Sequence, residues 1–150
     1  MKRVTFILSL LLVFTASFAQ QDIEQEKKAV IKVINAAYVQ GLQNGVEIDN
    51  INKGFHPGFN LLGIDQGNFL TKYPIYTWEE NVRKRIEAGQ TPPVVTTAKF
   101  PMIDITGTAA VVKVELFREG KQIFTDYLSL YKFEEGWRIV SKIYYRIPQE

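Results

Sequence analysis

The 150-residue chain has no cysteine and one histidine, which excludes disulfides, thiol nucleophiles, thiolate metal sites and any site built on two histidines. It carries 18 Lys and Arg against 16 Asp and Glu, and this near balance makes it a poor candidate for binding nucleic acid. With 46% hydrophobic residues, the chain is predicted to fold around one core rather than to stay disordered.

Residues 1–19 have the pattern of a signal peptide. Lys2 and Arg3 precede an apolar run, and the small residues Ser17 and Ala19 fit the −3 and −1 positions of a signal-peptidase site. A membrane anchor is the alternative, but the apolar stretch is shorter than the about 20 residues that spanning requires. We therefore predict export to the periplasm or the medium, and a mature domain of residues 20–150 with no membrane span.

Two helices are predicted at the start of the mature chain. Over residues 22–44, apolar side chains recur at helical spacing, and Tyr38 lies on this inner stripe. A short helix is expected over 47–53, ending at Gly54.

A hairpin and a third helix are predicted next. Turn residues separate a strand at 59–64 from a return strand at 68–73. Thr77-Trp78-Glu79-Glu80 fits a capping box, in which Thr77 and Glu80 satisfy each other's backbone amides, and it predicts the start of the third helix.

From residue 95 onward the pattern is β. Hairpin turns with glycine separate predicted strands at 95–105, 108–118, 121–133 and 137–147. Helices followed by an antiparallel meander indicate an α+β fold. The helices should cover one face of the sheet and leave the other for solvent or a partner.

Several segments resemble the NTF2-like superfamily, the cone-shaped cystatin-like folds. They are YVQGLQNG (38–45), FHP (55–57), DYLSLYK (126–132) and GWRIVSK (136–142), and the last two are similar to the final hairpin of the putative lumazine-binding branch. The resemblance implies N-terminal helices packed on a strongly curved antiparallel sheet, with an internal pocket at the wide end of the cone. It also implies frequent dimerisation.

Tyr38 and Asp126 are the main candidates for polar contacts in this pocket. In ketosteroid isomerases, which share the fold, a tyrosine and a protonated aspartic acid at similar places stabilise an oxyanion. Asp126 alternates with apolar residues, which favours its neutral form. The alternatives are a plain core tyrosine and an ion pair between Asp126 and Lys113 across the sheet, which a bulge at Gly120 would remove.

His56 is the one side chain that ordinarily titrates near neutral pH. It is a candidate base if it faces the pocket, and a pair with Asp126 would resemble the dyad of dehydratases in the superfamily. A structural role beside Pro57 is the alternative. The ketosteroid isomerases use an aspartate on the first strand as their general base. The resemblance matches that place to residues 60–63, which hold no carboxylate. This absence favours binding over catalysis.

Aromatic residues are the candidate pocket walls, with plain core packing as the alternative. We predict that the walls comprise Trp78, Phe100, Phe124 and Tyr145.

A row rich in tyrosine is the candidate contact surface. Strict alternation places its members on the sheet face opposite Asp126, and we predict a homodimer through this face. The row comprises Tyr127, Tyr131, Arg138, Lys142 and Tyr144.

The sequence thus predicts an exported, non-catalytic protein that binds a small, partly apolar molecule, without a metal or cofactor. A cofactor-free isomerase or dehydratase using His56 with Tyr38 and Asp126 is the second hypothesis. A protein-interaction module working through the sheet face is the third.

Overall fold

The structure is a computed structural model that describes residues 22–90 and 92–148. The predicted leader, 1–19, lies outside these residues. Within these residues, three helices and six strands form an α+β fold. Helix α1 is α-helical over 22–33 and continues in wider π-helical turns over Ile34–Gln43, followed by α2 (Asp49–Gly54) and α3 (Ile75–Glu87). The strands are β1 (Phe55–Asp65), β2 (Phe69–Pro74), β3 (Thr97–Thr106), β4 (Ala109–Arg118), β5 (Lys121–Phe133) and β6 (Gly136–Arg146).

The strands form one sheet in the order β2-β1-β6-β5-β4-β3. The predicted meander from β3 to β6 is confirmed, since each of its pairs is antiparallel. Strand β1 runs parallel to β6, so the sheet as a whole is mixed rather than purely antiparallel. We call the face that the helices cover the inner face and the opposite one the outer face. Because helices cover one face of a sheet that contains the predicted meander, the α+β fold is as predicted.

Helix α3 begins earlier than the capping box predicted. Pro74 occupies the N-cap position and the helix starts at Ile75, with no side-chain capping bond. Ile75 is buried in the core. Burial of this side chain, rather than the hydroxyl of Thr77, therefore sets the first turn.

Among the described residues, no helix has both the length and the apolar character needed to cross a membrane.

A bulge between β4 and β5 decides where Asp126 lies. Arg118 pairs with Lys121 as predicted, but Ile123 has no partner because Leu116 pairs with Phe124. The insertion lies inside the strand rather than at the glycine turn, and it places Val114 opposite Asp126. Lys113 instead forms an ion pair with Glu115 at 3.3 Å. The alternative of a Lys113–Asp126 pair is therefore wrong.

A second bulge, between β5 and β6, reverses part of the predicted face. Leu130 pairs with Ile139, but Ser129 pairs with Ser141, so Val140 is the extra residue. One inserted residue exchanges the two faces for all that follows. The prediction was therefore wrong for three residues: Lys142 and Tyr144 turn to the inner face, and Tyr145 turns to the outer face, where it is 61% exposed.

Candidate functional site

A buried hydrogen bond joins helix α1 to strand β5 beneath the inner face. Tyr38 Oη donates to Asp126 Oδ2 over 2.5 Å, and neither residue is exposed to solvent. Tyr38 lies in the middle of the π-helical segment, a feature that is often found at functional sites. The structure thus brings together the two residues that the sequence proposed for the pocket floor.

Lys142 is the third member of this cluster. Its Nζ lies 2.9 Å from Asp126 Oδ1 and donates a hydrogen bond to Tyr38 Oη. The contact with Oδ1 is an ion pair by distance, although Oδ1 accepts no hydrogen bond of good geometry within the described part of the chain. Four aromatic rings surround Nζ with centroids 4.6 to 5.8 Å away, those of Tyr38, Trp78, Phe124 and Tyr144. The rings and Asp126 both favour the charged lysine.

Burial opposes that preference and shapes the titration of two of these groups. It lowers the pKa of the Lys142 ammonium, while the charge of Asp126 and the contact with it act in the opposite direction. Burial also raises the pKa of the Tyr38 phenol well above 10.0, and the neighbouring Asp126 charge adds to this rise. Tyr38 is therefore a neutral donor at physiological pH.

A cavity of about 430 Å³ opens above Lys142. Tyr38 and Asp126 do not line it themselves but touch Lys142, which does. Both sequence candidates therefore act on the cavity through Lys142. The lining residues are Leu42, Gln43, Leu61, Tyr73, Trp78, Asn81, Arg85, Arg118, Phe124, Lys142, Tyr144 and Arg146.

The predicted walls divide into two groups. Trp78 and Phe124 line the cavity, whereas Phe100 is packed against the hydrophobic core and Tyr145 lies on the outer face. The prediction that Phe100 and Tyr145 line the pocket was therefore wrong. Tyr145 moved because of the Val140 bulge, while Phe100 serves core packing, which was the alternative for all four residues.

His56 is not among the cavity-lining residues. Its ring stacks on Phe133 with centroids 4.9 Å apart, and its Nδ1 accepts a hydrogen bond from the Gly58 amide. The structural alternative thus describes this residue better than the catalytic one. A catalytic hypothesis that uses His56 with Tyr38 and Asp126 finds no support in this arrangement.

Sequence reasoning missed several cavity residues, Lys142 above all. The sequence held one signal for Lys142, the hairpin between β5 and β6. Phe133 pairs with Gly136 at its turn, and counting back along both strands from this pair brings Lys142 close to Asp126. A carboxylate in an apolar row needs a cation, and Lys142 is the cation that β6 carries near this level. Also missed were Tyr144, Arg85, Arg118 and Arg146.

In the described ranges, no three His, Asp or Glu side chains come together in a group that could hold a metal ion.

Comparison with known proteins agrees with this architecture. The family described as "Putative lumazine-binding" matches residues 25–145. A curated relative named "Aldolase FrzH", from Cladobotryum sp, is 26% identical over 117 residues, which are 75% of this chain and 85% of the relative.

Solved structures show the same fold. An NTF2-like protein of unknown function from Shewanella baltica OS155 is 27% identical, with a TM-score of 0.65 over 83% of this chain and 96% of its own. An NTF2-like protein with a cystatin-like fold from Novosphingobium aromaticivorans has a TM-score of 0.64 over 91% of both chains. At 12% identity, this second likeness concerns the fold alone.

Proposed function

Because this chain belongs to the putative lumazine-binding family of NTF2-like proteins, we propose that it binds a small, partly apolar molecule in the cavity above Lys142. The observation that carries the proposal is the cavity itself, of about 430 Å³, whose lining combines four aromatic side chains and two leucines with six polar or charged side chains. Ligand sites commonly have volumes of roughly 300–1,000 Å³, with aromatic side chains for contact and polar groups that orient the ligand. Export of the protein is part of the proposal and rests on the pattern of residues 1–19.

The lining offers the ligand two kinds of apolar contact. Leu42 and Leu61 offer apolar contact, and Trp78, Phe124 and Tyr144 offer ring faces. Such walls suit a planar molecule, because aromatic rings pack well by stacking or edge contact. At the floor, Lys142 presents the one polar group that the buried Tyr38–Asp126 pair holds in place.

Tryptophan fluorescence tests the proposal, because the chain has two tryptophans and one of them lines the cavity. In a Trp137→Phe variant, Trp78 is the reporter, and titration with planar heteroaromatic probes such as lumazine and riboflavin should quench it saturably. The matched variant Trp78→Phe leaves Trp137, which does not line the cavity. Trp137 Nε1 donates a hydrogen bond to Glu26 Oε2 over 2.6 Å. Its emission should be quenched less than that of Trp78, because Trp137 does not line the cavity. Equal quenching in both variants would contradict binding in the cavity.

A second candidate function is carbonyl chemistry at Lys142, and one arrangement favours it. A lysine amine whose pKa is lowered by burial lines a cavity between a carboxylate and a phenol. A relative at 26% identity carries the name aldolase.

The reaction would proceed through an iminium ion. The Lys142 ammonium passes a proton to Asp126, and the neutral amine attacks the carbonyl carbon of an aldehyde or ketone. A C–N bond forms, the carbonyl oxygen takes one proton from the amine nitrogen and one back from Asp126, and it leaves as water when the C–O bond breaks. The positive charge of the iminium makes the adjacent C–H bonds more acidic than they are in the free carbonyl compound.

Reductive trapping tests this candidate. Benzaldehyde with cyanoborohydride should benzylate Lys142 ahead of exposed lysines such as Lys84 near neutral pH, as mapped by peptide mass spectrometry. A Lys142→Arg variant should lose this fast labelling. If exposed lysines such as Lys84 are modified first, carbonyl chemistry at Lys142 is contradicted. The binding proposal does not depend on this result.

We also propose that a second copy of this chain covers the outer face. The face carries exposed apolar side chains from three adjacent strands, and Tyr127 stands directly opposite Ile143. Such a patch is typical of an interface. Of the predicted row, Tyr127, Tyr131 and Arg138 keep their places in this proposal, while Ile143 and Tyr145 replace Lys142 and Tyr144.

A further inference from the structure

We infer that the ligand of the cavity is an aromatic organic anion, and that arginines at the cavity receive its carboxylate. This inference rests on the binding proposal above and adds the charge of the ligand to it. Three arginines line the cavity from three different elements: Arg85 from α3, Arg118 from β4 and Arg146 from β6.

None of these three guanidinium groups has a carboxylate within 4 Å among the described residues. Arg85 belongs to the basic run Arg83-Lys84-Arg85 on α3, and the other two members of the run are paired with carboxylates. Arg83 lies 2.7 Å from Glu79 and Lys84 lies 2.6 Å from Glu80. Arg85, the third member of the run, lines the cavity and has no carboxylate partner among the described residues.

The charge at the cavity is therefore positive. None of the described Asp and Glu residues lines it, and the nearby Asp126 is already paired with Lys142. The Lys142–Asp126 pair is neutral as a unit, so the three arginines are the uncompensated charges. A cleft lined by one sign of charge concentrates ligands of the opposite sign.

Two of the arginines are also held in position. Arg118 Nε donates to Thr96 Oγ1 over 3.0 Å, and Thr96 is itself buried and bonded to Asn44 through both backbone groups. The Arg146 guanidinium lies over the Phe124 ring, 5.3 Å from its centroid. Both contacts leave terminal N–H groups for a ligand. A held guanidinium presents a planar fork that matches a carboxylate.

These positions define the ligand class. The anion would meet Arg118 and Arg146, and its ring system would extend over Phe124 and Trp78. Phenolic or heteroaromatic carboxylates of moderate size fit this description. A phosphate or sulfonate could also satisfy guanidinium groups, so the experiment has to separate these head groups.

The test compares naphthoate with naphthamide, which has the same shape without the charge, by calorimetry and by Trp78 fluorescence. We expect naphthoate to bind at least about tenfold more tightly, as hydrogen bonds to a charged group warrant. Arg118→Gln and Arg146→Gln should each weaken naphthoate by roughly tenfold and leave naphthamide unchanged. Added salt should weaken only naphthoate. The control is Arg138→Gln, which lies on β6 but does not line the cavity.

The outcomes separate the two proposals. If naphthoate and naphthamide bind equally and neither arginine variant alters naphthoate, the anion inference is wrong and the binding proposal stands. Tighter binding of naphthyl phosphate or naphthalene sulfonate than of naphthoate would overturn the assignment of a carboxylate. If neither naphthoate nor naphthamide binds, and lumazine and riboflavin also leave Trp78 unaffected, both proposals fail.

Discussion

Lys142 Nζ lies 2.9 Å from Asp126 Oδ1, and both side chains are almost completely buried under the cavity. Two charges taken out of water in this way are costly to separate, because each would otherwise remain as an unpaired buried charge. Tyr38 bonds to both partners and completes the unit. The three residues join α1, β5 and β6, so they serve the fold as well as the site.

Removing one member of the Lys142–Asp126 pair should show how much the stability of the fold depends on it. We expect Lys142→Met to lower the free energy of unfolding by about 3–5 kcal/mol, measured by urea denaturation, because Asp126 then stays buried without its cation. The double variant Lys142→Met, Asp126→Leu should recover much of that loss. Lys84→Met, which breaks an exposed pair, is the control and should change stability little. A single variant as stable as the control would contradict the ion pair.

The raised pKa of Tyr38 predicts a loss of stability in alkali. A folded pKa above the ordinary 10.0 means that the folded state keeps its proton where the unfolded state releases it. The contribution of Tyr38 is therefore complete below about pH 10 and falls as pH rises through the raised folded value. The stability difference between wild type and Tyr38→Phe should shrink over that range.

Chemical denaturation from about pH 8 to about pH 11 measures this difference. Lys142 acts in the opposite direction, since its lowered folded pKa makes stability rise with pH towards 10.5. Subtracting the curve of Tyr38→Phe isolates the tyrosine. The control Tyr127→Phe, on the outer face, should keep the alkaline loss. A constant difference between wild type and Tyr38→Phe would contradict the prediction.

The contact between α1 and α2 should not tolerate a methyl group on Gly54. A Cβ atom there would lie 2.3 Å from the Cβ of Ala37, which is too close for two carbons that are not bonded to each other. We expect Gly54→Ala to cost about 1–3 kcal/mol of stability, as overpacking does. Adding Ala37→Gly should relieve the clash and recover part of the thermal midpoint. No recovery would place the cause of the loss elsewhere.

The proposed dimer is tested on the outer face. A charge at Ile143, which is 53% exposed, should convert a dimer into a monomer, because it would be buried without a partner. Light scattering after size exclusion compares wild type with Ile143→Glu. Val95→Glu, at an exposed site before β3, should leave the mass unchanged. A monomeric wild type at micromolar concentration would contradict the proposal.

Much of this molecule follows from local sequence. Periodicity predicted α1, α2 and the four-strand meander, and it placed Tyr38 on the buried side of its helix. These features depend on neighbours a few residues away, so they can be read from the chain. The same reasoning misplaced the start of α3, because burial of Ile75 outweighed a local capping signal.

The cavity was decided at the tertiary level. Val140 and Ile123 are extra residues within strands, and nothing in their side chains marks them as bulges. Each insertion nevertheless exchanges the two faces of the sheet beyond it. The sequence by itself determined that Asp126 would lie in an apolar row. Only the pairing of the strands decided that Lys142, rather than Lys113, would neutralise it, because a strand's register depends on contacts with partners distant along the chain.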